Sequence, residues 1–178
     1  ALENITLNLN DVTTGNQTLT ITQDTSKAQT AIKDWVNAYN SLIDTFSSLT
    51  KYTAVDAGAD SQSSSNGALL GDSTLRTIQT QLKSMLSNTV SSSNYKTLAQ
   101  IGITTDPSDG KLELDADKLT AALKKDASGV GALIVGDGKK TGITTTIGSN
   151  LTSWLSTTGI IKAATDGVSK TLNKLTKD

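Results

Sequence analysis

The chain has 178 residues, with 16 Lys plus Arg against 17 Asp plus Glu, a net charge of −1, and neither Cys nor His. That length fits one domain, or one domain with part of another, and the missing residue types exclude disulfides, thiolate nucleophiles, His-based triads and the usual zinc sites. The near-neutral balance argues against nucleic acid as a partner, and no apolar run approaches the about eighteen residues of a membrane span.

Residues 4–9 and 18–22 alternate polar and apolar through Ile5, Leu7, Leu9, Leu19 and Ile21, around a turn-prone T-T-G-N at 13–16. That pattern predicts an N-terminal β-hairpin with one half-buried face. Two strands are marginal alone in water, so residues 1–24 are expected to join strands of an adjoining domain or to pack on the helices that follow. The absence of an initiating Met suggests a piece of something longer.

From Asp24-Thr25-Ser26 the apolar period lengthens. Ala28, Ile32, Trp35, Val36, Tyr39, Leu42, Ile43, Phe46 and Leu49 form one broad helical stripe. Residues 53–66 are small and polar and predict a flexible surface loop. A second helix follows, opened by Asp72 or Ser73 as cap, with Leu75, Ile78, Leu82, Met85 and Leu86 on one face. Its antiparallel return against 26–50 is the simplest way to bury both stripes.

After a Ser-rich break at 91–96, residues 101–114 predict a short second hairpin. Ile101 and Ile103 would face Leu112 and Leu114 across a turn set by Pro107 and Gly110. Asp115 is placed to cap a helix over 116–125 with Leu119, Ala122 and Leu123 inward, followed by a shorter apolar turn at Val130, Leu133 and Ile134. The segment 136–142 is a loop. Ile143, Ile147, Leu151, Trp154 and Leu155 mark another helix, with Gly159 read as its left-handed stop.

The last helix carries Ile161, Ala164, Val168, Leu172 and Leu175 on one face, a heptad-like spacing of three, four, four and three. Two partners fit that stripe, the bundle's own core or a coiled coil with other subunits. It reaches the end of the sequence with no obvious cap and is expected to go on. The fold class is therefore α+β: a mainly helical antiparallel bundle over 25–178, with an N-terminal hairpin and a second short one.

No motif carries catalysis. Aligning Gly110 with the glycine of a calcium loop puts Pro107 and Ala116 where acidic ligands belong. Around 129–141, Leu133 and Ile134 stand where phosphate- and dinucleotide-binding loops need Gly. Glu3 and Glu113 are the sole glutamates, and most acids fall at turns, caps or exposed faces, so neither an enzyme nor a metal or cofactor is expected. The sequons at 4–6, 16–18 and 150–152 are expected by chance in an Asn- and Thr-rich chain.

Five ordered stretches together carry a resemblance: W-V-N-A-Y-N-S-L-I at 35–43, N-G-A-L-L-G-D-S-T-L-R at 66–76, L-A-Q-I-G-I-T-T-D-P-S-D-G-K-L-E-L-D at 98–115, the D-x-x-K-L-x-x-A-L run at 115–123, and G-I-I at 159–161. In these the chain resembles the C-terminal half of the flagellar filament cap family, also called hook-associated protein 2. The resemblance implies a secreted structural protein at the extracellular tip of the bacterial flagellum, where it guides exported flagellin into the filament. It implies partners in flagellin, in the hook–filament junction proteins and in further copies of itself, as a ring of roughly five or six. On that pattern residues 1–24 are strands of a head domain and 25–178 are most of a helical leg, with Ile161, Ala164, Val168, Leu172 and Leu175 as the candidate subunit or coiled-coil interface. An adhesin-type or other axial flagellar module is the alternative, and an enzyme a third.

Overall fold

In the computed structural model, residues 11–12, 14–16, 18, 23–87 and 94–176 are described. The expected N-terminal hairpin (Ile5, Leu7, Leu9, Leu19 and Ile21) lies outside the described residues, as do residues 91–93 of the Ser-rich break.

Helix α1 spans Ser26–Thr50 and buries Ile32, Val36, Tyr39, Ile43 and Phe46, with Trp35, Leu42 and Leu49 half-buried. Ala28, assigned to the same stripe, is exposed at the helix start. Helix α2, Ser73–Ser87, buries all five predicted positions, Leu75, Ile78, Leu82, Met85 and Leu86. Its cap is Asp72, whose Oδ1 accepts the Leu75 amide at 2.7 Å and so satisfies one of the unpaired amides of the first turn.

The two helices run antiparallel. The end of α1 is clasped to the entry of α2, where the Gly67 amide donates to the Lys51 carbonyl at 2.8 Å and the Leu69 amide to the Leu49 carbonyl at 2.9 Å. Farther along, the Tyr39 hydroxyl donates to the Gly110 carbonyl, and the Lys83 side chain lies against Gly110. Between Lys51 and Gly67 the chain makes turns with no helix or strand, and the Thr53 amide donates to Asn66 Oδ1 at 2.6 Å across the loop's base.

The second hairpin is present, shorter than expected and entered differently. Strands β1, Ile103–Thr105, and β2, Leu112–Leu114, pair antiparallel with Ile103 opposite Leu114 and Thr105 opposite Leu112. Ile101 is not a strand residue. It ends a single 3-10 turn, Leu98–Ile101, that drives its side chain into the core at 0% exposure. Gly102 makes the exit possible with φ +89°. A Cβ there would sit 2.8 Å from both the Asp115 carbonyl oxygen and Lys118 Cβ.

Helix α3, Ala116–Ile134, joins two segments that the sequence separates. Asp115 Oδ1 accepts the Lys118 amide at 2.9 Å, as the cap reading requires. At Asp126 the backbone leaves the helical region (φ −157°, ψ 79°), and Asp126 Oδ1 accepts the Gly129 amide at 2.7 Å. Asp126 therefore caps a second helical segment, the one carrying Val130, Leu133 and Ile134.

Helix α4 spans Ile143–Leu155 and α5 spans Ile160–Leu175. Gly159 does not stop α4 with a left-handed residue. It is extended (φ −74°, ψ 167°) and stands before the first turn of α5. Glycine is needed there for space, because a Cβ would come within 2.3 Å of the Trp154 carbonyl oxygen.

One apolar cluster runs through α1, α2, the 3-10 turn, both strands, α3 and α4, with Leu82, Ile101, Ile103, Leu119, Val130 and Leu133 at its centre. α5 contributes no buried residue to it.

Candidate interaction surface

The feature that the core leaves over is the apolar face of α5. Ile161 is 38% exposed, Val168 70%, Leu172 59% and Leu175 70%, and Ala164 is half-buried. The other four helices each bury at least three side chains, whereas among the described residues this stripe is not part of the buried core.

The first half of the stripe is nevertheless partly sheltered. Ile161, Ala164 and Val168 form one wall of an open groove of about 530 Å³, whose other walls include Leu42 and Phe46 from α1 and Leu75 and Ile78 from α2. Leu151, Trp154 and Leu155 of α4 complete it, and Leu155 is 70% exposed. Leu172 and Leu175 do not line the groove and project beyond it. Lys162 and Asp166 pair one helical turn apart, on positions outside the stripe, which leaves the stripe itself uncharged. After Leu175 the Thr176 hydroxyl donates to the Leu172 carbonyl at 3.1 Å.

Residues of the groove wall outside α5 carry no site signal in the sequence. Each sits in a helical stripe that reads as ordinary core, and only the approach of four helices shows that the stripes leave a gap. The exposure of Leu155 had one available signal, its place at the last turn of α4, where the bundle no longer covers it.

The carboxylates with displaced ionisation lie elsewhere and have structural causes. Asp137 Oδ1 accepts the amides of Lys139, Lys140 and Thr141 at 2.8–2.9 Å, which stabilises the charged form and lowers its pKa well below the usual carboxylate range. Asp126 is lowered by the Asn94 side chain and the Gly129 amide, Asp106 by the Ser108 hydroxyl and amide, and Asp24 by Ser26. Burial raises Tyr39, and the Asp44 carboxylate 2.7 Å from Lys111 Nζ raises that lysine. In the 106–110 turn, Asp106 and Asp109 accept the Ser108 and Lys111 amides, which is turn chemistry. Among the described residues no group of three His, Cys, Asp or Glu could hold a metal ion, and no helix is long and apolar enough to cross a membrane.

Comparison with known proteins agrees with the resemblance drawn from the five stretches. Residues 1–178 match the family model described as flagellar hook-associated protein 2 C-terminus. The flagellar hook-associated protein 2 of Escherichia coli strain K12 is 99% identical over 157 residues, covering 88% of this chain and 34% of that protein. That of Salmonella typhimurium is 54% identical over 177 residues, covering 99% of this chain and 38% of the relative. The chain thus spans about a third of the length of these relatives. A crystal structure of the flagellar cap protein FliD D1-D2-D3 domains from Escherichia coli superposes with a TM-score of 0.74 at 92% identity, over 94% of this chain and 43% of that one. The alternative of an adhesin-type module finds no support in these matches. With a family model matched along its whole length and a bundle that superposes on a solved member, the chain belongs to the flagellar hook-associated protein 2 family.

Proposed function

We propose that residues 25–178 form most of the leg of a flagellar filament cap and that the protein promotes polymerisation of exported flagellin at the filament tip. Residues 1–24 are assigned to strands of the adjoining head domain. The cap works as a homo-oligomeric ring at the extracellular end of the flagellum, in contact with flagellin and, during assembly, with the hook–filament junction proteins. No chemical step is assigned to it. A chain without Cys suits secretion as an unfolded polymer, since no cross-link has to be opened first.

The observation that carries this reading is the uncovered face of α5, with Val168, Leu172 and Leu175 each more than half exposed. Three aliphatic side chains at heptad-like spacing on one helix are what a coiled coil uses to join subunits. We assign Ile161, Ala164, Val168, Leu172 and Leu175 to that seam. The test is the full-length protein carrying Leu172→Glu and Leu175→Glu. Neither position contributes to the core, so the leg is expected to keep its melting temperature. The ring should dissociate in sedimentation velocity, and a strain lacking the native cap protein should not regain motility. An intact ring with full motility would remove the seam from these residues.

A further inference from the structure

Asn66 is the one asparagine in the sequence that precedes a glycine. In an unfolded chain that pair is chemically labile, because glycine has no side chain to keep its amide nitrogen away from the preceding side chain. We propose that Asn66–Gly67 is a succinimide-forming modification site that the native fold holds shut, so that deamidation there marks protein that has spent time unfolded.

The reaction balances with water as the sole co-reactant. The Gly67 amide nitrogen gives up its proton to solvent base and bonds to Asn66 Cγ. The Cγ–Nδ2 bond breaks, and the nitrogen leaves as ammonia after taking up a proton. Water then opens the five-membered ring at either carbonyl. One opening leaves an ordinary aspartyl residue in place of Asn66, and the other leaves its isoaspartyl isomer, whose main chain runs through Cβ and Cγ.

Each participant is held away from that course. The Gly67 proton is directed at the Lys51 carbonyl, 2.8 Å from the nitrogen. The Asn66 side chain is tied across the loop base at both of its polar atoms: Oδ1 accepts the Thr53 amide at 2.6 Å, and Nδ2 donates to Gln62 Oε1 at 3.4 Å. Gly67 cannot turn freely, because it lies flush with the end of α1, where a Cβ would be 2.2 Å from the Leu49 carbonyl oxygen. Attack therefore requires the clasp between 49–53 and 66–69 to open first, and the rate falls with the population of that open form.

The two products differ in fit. The aspartyl product keeps an oxygen where the Thr53 amide expects an acceptor. The isoaspartyl form lengthens the main chain immediately before Gly67, which displaces the amide that donates to Lys51.

The full chain is held at mildly alkaline pH, one portion native and one in guanidinium chloride, and the peptide containing Asn66 is followed by mass spectrometry. The denatured portion is expected to lose Asn66 to a pair of products, and the native portion to lose it at least about tenfold more slowly, equivalent to about 1.4 kcal/mol of opening free energy. Hydrogen exchange of the Gly67 amide should show the same opening. Equal rates in the two portions, or no loss of Asn66 in denaturant, would overturn the proposal. In a second measurement, Asn66→Asp should melt with the parent while the purified isoaspartyl fraction melts lower. An isoaspartyl fraction that melts with the parent would overturn the claim that the clasp excludes it.

Discussion

Asn40 offers the sharpest test of how α1 holds the hairpin. Its side chain acts as a third strand one residue long. Nδ2 donates to the Leu112 carbonyl at 2.8 Å, and Oδ1 accepts the Leu112 amide at 2.7 Å. Leu112 is 3% exposed, and its peptide groups point away from β1, so among the described residues nothing else on the open edge of β2 replaces Asn40. Asn40→Ala leaves one buried amide and one buried carbonyl without partners, at about 1–3 kcal/mol each. Asn40 is itself half-buried and water reaches its flank, so the lower part of that range applies, about 2–4 kcal/mol in total. In a domain of this size about 3 kcal/mol lowers Tm by roughly 6–12 °C. Differential scanning calorimetry checks it, with Asn37→Ala as the control. Asn37 is exposed one turn earlier on α1, so its truncation should change stability by less than about 0.5 kcal/mol. Asn40→Asp keeps the acceptor but sets a carboxylate against the Leu112 carbonyl, so it should be no better than Ala at neutral pH and recover part of the loss once protonated. An Asn40→Ala protein melting within about 1 °C of the parent would refute the edge-strand role.

Gly67→Ala places a methyl 2.2 Å from a main-chain oxygen and should destabilise by more than about 2 kcal/mol in urea denaturation. Gly71→Ala, at φ +82° in open space, should show only the left-handed penalty of about 1–2 kcal/mol. The lowered pKa of Asp137 has a definite sign: its contribution is fully present above the unfolded carboxylate value of about 3.9 and is lost as pH falls through the folded value. Asp137→Asn should therefore show a shallower loss of Tm than the parent on acidification below about pH 4, and parallel curves would refute the linkage. Among the described residues the half of α5 beyond Val168 has no tertiary cover, and helices this short are marginal alone. Amides 169–176 should exchange fast in the isolated chain and slowly in the assembled full-length protein, and slow exchange in the isolated chain would refute the uncovered stripe.

Where one residue's surroundings are set by its own helix, the sequence shows them. The stripes of α1 and α2 and the caps Asp72 and Asp115 follow from spacing and side-chain chemistry alone. The alternation of I-G-I assigns Ile101 to a strand. Its true place depends on a positive φ at Gly102 that turns the chain before β1 begins, and alternation cannot distinguish the two. The position of Gly159 after a helix suggests a left-handed stop, yet its role is steric and set by carbonyls at 153 and 154. Asn40 carries no signal, because its partner Leu112 lies 72 residues away and any exposed helix face can hold an Asn. The α5 stripe is legible as a face, whereas the groove beside it is made by four helices whose approach no local pattern encodes.

The same contrast bears on what the stripe is for. An amphipathic helix ordinarily gains its stability by burying its apolar face, and α5 has as clear an apolar spacing as the four helices that do so. Its first turns rest beside Trp154 and Ile78 along the groove, which fixes the direction in which the helix leaves the bundle. Its later turns carry Leu172 and Leu175 out into solvent with no partner in this chain among the described residues. Random surface drift would place isolated apolar residues at irregular spacing, not five on one heptad-like line. A helix sheltered at one end and uncovered along an ordered face at the other fits the proposed seam, in which another helix completes it. In that proposal the sheltered half sets the angle of the joint, and the free half offers its face to the partner.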